Sequence, residues 1–428
     1  MVDVTHHRHD RVARLRSHNY GLYHLPDASS SGTLHATMPY MKRVYLDHAA
    51  ATPVTRTAER AFRRALSAYG NPSSPHAEGK EAKRILEDAR TRIARLTEAK
   101  PEHVYLTSGA TEANNIAIQG VIRALHASGA SVRAVYQDGA HASIEEPYKM
   151  LAEDGVPVSK LPVMGGSFDL SALTKLIASN TVLVSVEAVS SETGARFDTR
   201  ALRHALDSFR KPGEPRIYLH VDASQLPLTE SIERTRLQAD LMTLDAQKVG
   251  GVRGAGCLIV SSGVPLASVM QGGGQERGIR PGTPSPALAA SFATALEEAK
   301  ENREAFALAS RNMREALLRR VLTDISEVYV NEGKENVPSI VNLSFSGRDT
   351  DYLATLLDAR GFSVSTKSAC ETDSPDGSRA VMAQTGDASR ARSTLRVSWG
   401  RKTSMRDIER FASALAHAVR FLDENRLK

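Results

Sequence analysis

The strongest constraint on this chain is a recurrence of short apolar runs. They fall at Val104–Leu106, Arg133–Tyr136, Thr181–Val186, Ile217–Val221, Leu241–Leu244 and Cys257–Val260, separated by segments long enough to be helices. Runs this short, with little polar alternation, read as strands buried on both faces. Strands of that type alternating with helices predict an α/β fold with a mostly parallel sheet. In such sheets ligands bind beyond the carboxyl ends of the strands. Polar residues gather where these runs stop: His141, Ser190 and Ser191, Asp222 and Gln225, and Lys248.

Lys248 is the sharpest of them. It lies in DLMTLDAQKVGGVRGAG, after an apolar run and before glycines that let a backbone approach something closely. A lysine partly desolvated at the mouth of a sheet loses its proton more readily and can attack an aldehyde, so Lys248 is a candidate Schiff-base lysine. A second site sits upstream. In Thr107-Ser108-Gly109-Ala110-Thr111-Glu112 a turn of small residues opens a helix, and its free backbone N–H groups make an anion site.

The remaining chain divides by pattern. Residues 1–42 are rich in His, Arg and Ser without periodic apolar positions, which predicts a flexible extension. Residues 57–300 form a large domain; residues 43–56 and 301–428 form a smaller α/β domain. The latter carries a polar, mobile loop over 366–392 with Cys370 near its start. Lys367 beside Cys370 favours the thiolate, whereas Cys257 in its apolar run reads as a structural thiol. With only two cysteines in 428 residues, no disulfide framework is implied and a reducing compartment follows. No apolar stretch is long enough to span a bilayer and no secretory signal is evident, so the expected location is the cytoplasm. A net charge of +6 is too mild to argue direct nucleic-acid binding, and no regular metal-ligand spacing occurs.

Taken in order, YLDHAAATPV, GNPSSPHAEG, TSGATEANN, HVDASQ, the lysine segment, GGGQERGIRPGT, SACET and LRVSWGR resemble the cysteine desulfurases of the class V aminotransferase family. The resemblance runs from about Tyr45 to the C-terminus. It implies a pyridoxal-phosphate-dependent, fold type I enzyme with a seven-stranded sheet. The family's cofactor-bearing lysine falls on Lys248 and its sulfur-accepting cysteine on Cys370. The aspartate partnering the pyridine nitrogen falls on Asp222, the residue near the phenolic oxygen on Gln225, and the ring-stacking, proton-moving histidine on His141. Ala110, Thr111 and Gln247 fall on the phosphate side and Ser191 beside cofactor and substrate. Thr283 would reach the phosphate of the partner subunit, implying a homodimer. Arg396 would hold the substrate carboxylate. The implied reaction takes L-cysteine to L-alanine and leaves a persulfide on Cys370, for delivery to an iron–sulfur scaffold or a tRNA-thiolation protein.

The sequence departs from the family at three places. Ser190 and Ser191 replace two asparagines, Lys367 replaces a glycine, and Asp245-Ala246-Gln247-Lys248 replaces Ser-x-His-Lys. A carboxylate in the serine's place would repel phosphate, so Asp245 is expected to turn away, toward Arg253. The same motifs also fit a class V transaminase, a selenocysteine lyase or a non-catalytic scaffold of sulfur transfer, and Cys370 is the residue that separates them.

Overall fold

The computed structural model describes residues 43–209, 216–366 and 377–426. Seven strands form one sheet in the order 104–107, 256–260, 241–245, 218–222, 181–187, 133–137 and 158–161. Neighbours are parallel except for Gly256–Val260, which runs antiparallel to both strands beside it. The expected mostly parallel sheet is therefore present. All positions of Thr181–Glu187 are buried because side chains alternate between two covered faces. Leu183 packs with Ile116, Ile118 and Ile144 on one face, while Val184 and Val186 pack with Ile93, Leu202 and Phe292 on the other.

One strand of this sheet escaped the sequence pattern. Val158–Leu161 is an edge strand whose Ser159 and Lys160 interrupt any apolar run. Lys160 places its amine 3.1 Å from Asp138 and 3.4 Å from Glu145, a charge that keeps the open edge from pairing further.

A second apolar cluster surrounds a smaller antiparallel sheet of Tyr329–Val330, Ile340–Ser344 and Thr394–Ser398. Val341, Leu343, Leu395 and Val397 pack there against Leu353 and Leu357 of the Thr350–Ala359 helix and Phe411 and Leu415 of the Met405–Arg426 helix. One long helix runs through both clusters. The Pro286–Asp324 helix, 39 residues and so about 58 Å long, gives Phe292 and Leu296 to the first cluster and Leu317 and Val321 to the second. Ser285 caps it by accepting from Leu288 N, and Pro286 occupies its first turn, where a missing N–H costs nothing.

The loop expected over 366–392 is shorter than its composition suggested. Arg379–Thr385 and Ala388–Arg392 are helices, started by Ser378, which accepts from Val381 N, and by Asp387, which accepts from Ser389 N and Arg390 N. The polar residues read as loop formers are helix caps, and Val381 and Ala391 are buried beneath them. Cys370 and Lys367 lie outside the described residues, as does the extension 1–42.

Candidate active site

Beyond the carboxyl ends of the parallel strands lies a cavity of about 270 Å³. The strands 218–222 and 241–245 deliver Asp222 and Asp245 to it, and the turn after the second delivers Gln247 and Lys248. Ala110 and Thr111 enter from the start of the Ala110–Ala127 helix, His141 from the N-cap of Ala142–Glu153, and Arg396 from the small sheet. Ser191 and Gln225 also line it, with Glu187 and Ser224. Sites spread over more than half the chain thus converge because the contributing strands of the large sheet point the same way and the small sheet adds Arg396 from outside it.

Lys248 Nζ donates to the carbonyls of Ala49, at 2.7 Å, and Ala50, at 2.8 Å. Gln225 Nε2 donates to the same Ala49 carbonyl at 2.9 Å. The segment 49–55 clasps the lysine turn from outside: Thr52 N donates to Gln247 O, and Thr55 N to Gly250 O. This explains the glycines. A Cβ on Gly250, whose φ is +87°, would stand 2.7 Å from Thr55 Cγ2, so the close approach is to the chain's own N-terminal segment.

Asp222 is held at both oxygens, Oδ2 accepting from Asn114 Nδ2 at 2.8 Å and Oδ1 from Ser224 N at 2.9 Å. Asn114 also donates to Ser143 Oγ. The Ser143 N–H donates to His141 Nδ1 at 3.1 Å, which leaves Nε2 to carry the ring proton. Desolvation holds His141 below the usual histidine range; the Asp222 charge opposes this, and Lys248, Arg379 and Arg396 add to it. Arg396 is buried, with Nη2 2.7 Å from Asp47 Oδ1 and Nη1 donating to Ser191 O. Beneath the site His220 is wedged between Ser185 Oγ and Thr243 Oγ1, and burial holds it down to about 4, neutral at physiological pH.

The sequence profile of the Aminotransferase class-V family matches residues 44–411. The chain belongs to that family. It is 33% identical over 386 residues to the IscS-like cysteine desulfurase of Mycobacterium tuberculosis, covering 88% of this chain and 96% of that one. The cysteine desulfurase IscS of Dictyoglomus turgidum is 32% identical over 372 residues, 86% of this chain and 92% of its own. Among solved structures, a NifS-like protein superposes with a TM-score of 0.81 at 26% identity, covering 89% of this chain and all of that one. DndA from Streptomyces lividans superposes at 0.68 with 29% identity, covering 83% and 99%. This class-V member is thus a NifS/IscS-like cysteine desulfurase, of a family that depends on pyridoxal phosphate.

The desulfurase's residues fit that cofactor at its ring. Asp222 faces the cavity with its carboxyl already fixed, and Ser224 Oγ is buried there without a partner among the described residues. At the other end Gly109, at φ 156° and ψ −177°, holds a conformation essentially restricted to glycine and brings the first helical turn against the strand, where a Cβ on Gly256 would meet it at 2.7 Å. Ala110, Thr111, His141, Ser191, Asp222, Gln225, Gln247, Lys248 and Arg396 all line the one cavity. Thr283 does not: it lines a separate recess with Leu106, Gly254 and Arg280. Cys257 is fully buried, and burial pushes its thiol well up, as a structural cysteine requires.

Asp245 corrects the expectation placed on it. It does not turn toward Arg253; Oδ2 accepts from Ala110 N and Oδ1 from Gln247 N, both at 2.9 Å. The orphan amides of a helix start attract a carboxylate more strongly than a distant guanidinium in solvent. Sequence reasoning also missed Asn114, Asp47 and the Ala49 and Ala50 carbonyls. Asn114 lies four residues after Ala110, a spacing that puts both on one helix face; nothing local marks the other three.

Proposed function

We propose that this desulfurase holds pyridoxal phosphate on Lys248 and takes sulfur from L-cysteine, releasing L-alanine and leaving a persulfide on Cys370. The observation that carries the reading is the convergence of Lys248, Asp222, His141 and Arg396 on one cavity. Bound cofactor supplies an electron sink for the bond changes at the substrate's α-carbon. Asp222, fixed by Asn114 and Ser224, holds a proton on the ring nitrogen. Lys248, released from the Ala49 and Ala50 carbonyls, moves the α-proton, and His141 offers a neutral ring to the cofactor face. Arg396 exchanges Asp47 for the substrate carboxylate, a like-for-like swap of one oxyanion for another. The Cys370 thiolate attacks the substrate sulfur: the Cβ–S bond breaks, an S–S bond forms, and the substrate's β-carbon gains a proton.

The sulfur then passes to an acceptor protein, an iron–sulfur scaffold or a tRNA-thiolation protein, in the cytoplasm. The smaller lobe, 43–56 and 301–428, carries the thiol to the ring held by the larger one. A homodimer would bring Thr283 of each subunit to the other's phosphate, in line with its place outside its own cavity. Cys370→Ser separates the readings. Sulfide release from cysteine should vanish while the visible band of lysine-bound cofactor persists; Lys248→Ala should lose both. Retained sulfide release in Cys370→Ser would favour the transaminase or selenocysteine lyase reading.

A further inference from the structure

The carboxyl of Asp245 occupies the phosphate end of the cavity. It is 6% exposed and bridges the first amide of the Ala110–Ala127 helix to the backbone of the lysine turn. Gly109, the helix's own N-cap residue, supplies no side-chain cap, so Asp245 caps the helix from 135 residues away. A Cβ on Gly109 would lie 3.3 Å from Asp245 Oδ2, so the backbone there is shaped around this carboxyl. Thr111, Gln247 and Lys248 line the same end.

An anion arriving at this helix start meets an acid already in place. Two negative groups at hydrogen-bond distance in a buried site do not both keep their charge. If Asp245 withdrew, Ala110 N and Gln247 N would lose their acceptors. If it stays as the neutral acid, its O–H becomes a donor, the role a serine hydroxyl plays at that position in the family. Resting on the cofactor reading above, we propose that Asp245 binds the cofactor's phosphate as a protonated carboxyl, so that cofactor loading takes up a proton and weakens as pH rises.

The surroundings support a proton there. Burial raises Asp245 above the usual aspartate range; the amides of Ala110 and Gln247 and the Lys248 charge oppose this, and Asp222 on the neighbouring strand adds to it. Cys257, on the strand at its other side, is a neutral thiol, and His141, Glu187 and Arg396 complete the charged and titratable lining.

The test uses pyridoxine 5′-phosphate, which has the ring and phosphate but no aldehyde to react with Lys248. Calorimetric titration of the full-length apoprotein, in buffers of different ionisation enthalpy, gives both affinity and proton uptake. Wild type should take up about one more proton than Asp245→Asn above neutral pH, and its affinity should fall relative to the variant by about tenfold per pH unit there. Asp245→Ser should bind more tightly than wild type in the same range. Equal proton uptake and parallel affinity profiles in correctly folded variants would overturn the proposal. Pyridoxal phosphate itself separates the two readings. Wild type showing the Lys248-dependent visible band with coincident pH profiles overturns only the role of Asp245; absence of the band overturns the cofactor reading and this proposal together.

Discussion

At one end of the cavity Asp222 accepts from Asn114 Nδ2 and Ser224 N; at the other Asp245 accepts from Ala110 N and Gln247 N. One helix, Ala110–Ala127, serves both carboxyls, with its first amide at Asp245 and a side chain one turn later at Asp222. In the proposed cofactor pose the ends differ in what they await. A protonated ring nitrogen brings a positive charge to Asp222, which complements it. A phosphate brings a second negative charge to Asp245, which duplicates it. A two-donor arrangement on each carboxyl therefore favours the ligand at one end and must change protonation to receive it at the other.

Three substitutions sharpen or break this contrast. Asp222→Asn keeps the shape and removes the charge that the ring end needs. Turnover should fall on the order of 10²–10³-fold with the visible cofactor band retained, the scale seen when one preorganised electrostatic group is lost; steady-state assays showing full turnover would erase the distinction between the ends. Asn114→Ala reaches the ring end from behind. It withdraws a donor from half-buried Asp222 and from buried Ser143, and denaturant titration should show a loss of about 1–3 kcal/mol.

Asp245→Ala probes the other end without ligand, and its effect should be the smallest. Losing the cap should cost the apoprotein about 0.5–2 kcal/mol. The pH dependence follows from the raised folded-state value of this carboxyl. Its protonation stabilises the fold fully below the ordinary aspartate range, and that contribution fades as pH rises through the raised value. The deficit of the variant should therefore shrink as pH climbs out of the acid range, measured as the gap in Tm between variant and wild type. A deficit that grows with pH would mean the folded site prefers the carboxylate, making the two ends equivalent.

Much of this arrangement was legible beforehand because it is local. Strand runs such as Thr181–Glu187 announce themselves by continuous apolar character, and the helix at Ala110 by small residues before a periodic apolar stretch. Lys248, Asp222 and His141 stand just after such runs, and parallel strands carry whatever follows them to one edge. Val158–Leu161 was illegible because an edge strand does not require two apolar faces. The helices after Ser378 are hidden in the sequence because their caps are the residue types that also build turns.

By itself the sequence determined six of the sheet's seven strands, the family and most of the functional side chains that reach the cavity, since each follows from spacing along a few residues or from motifs kept in order. Tertiary structure alone decided who meets whom across the chain. Arg396 finds Asp47 349 positions away, Lys248 finds the Ala49 carbonyl 199 away, and Asp245 finds Ala110 N 135 away. No local period encodes such pairs. They arise because folding leaves amides and carbonyls without partners at helix starts and turns, and buried polar groups take the nearest complement in space, whatever their distance along the chain.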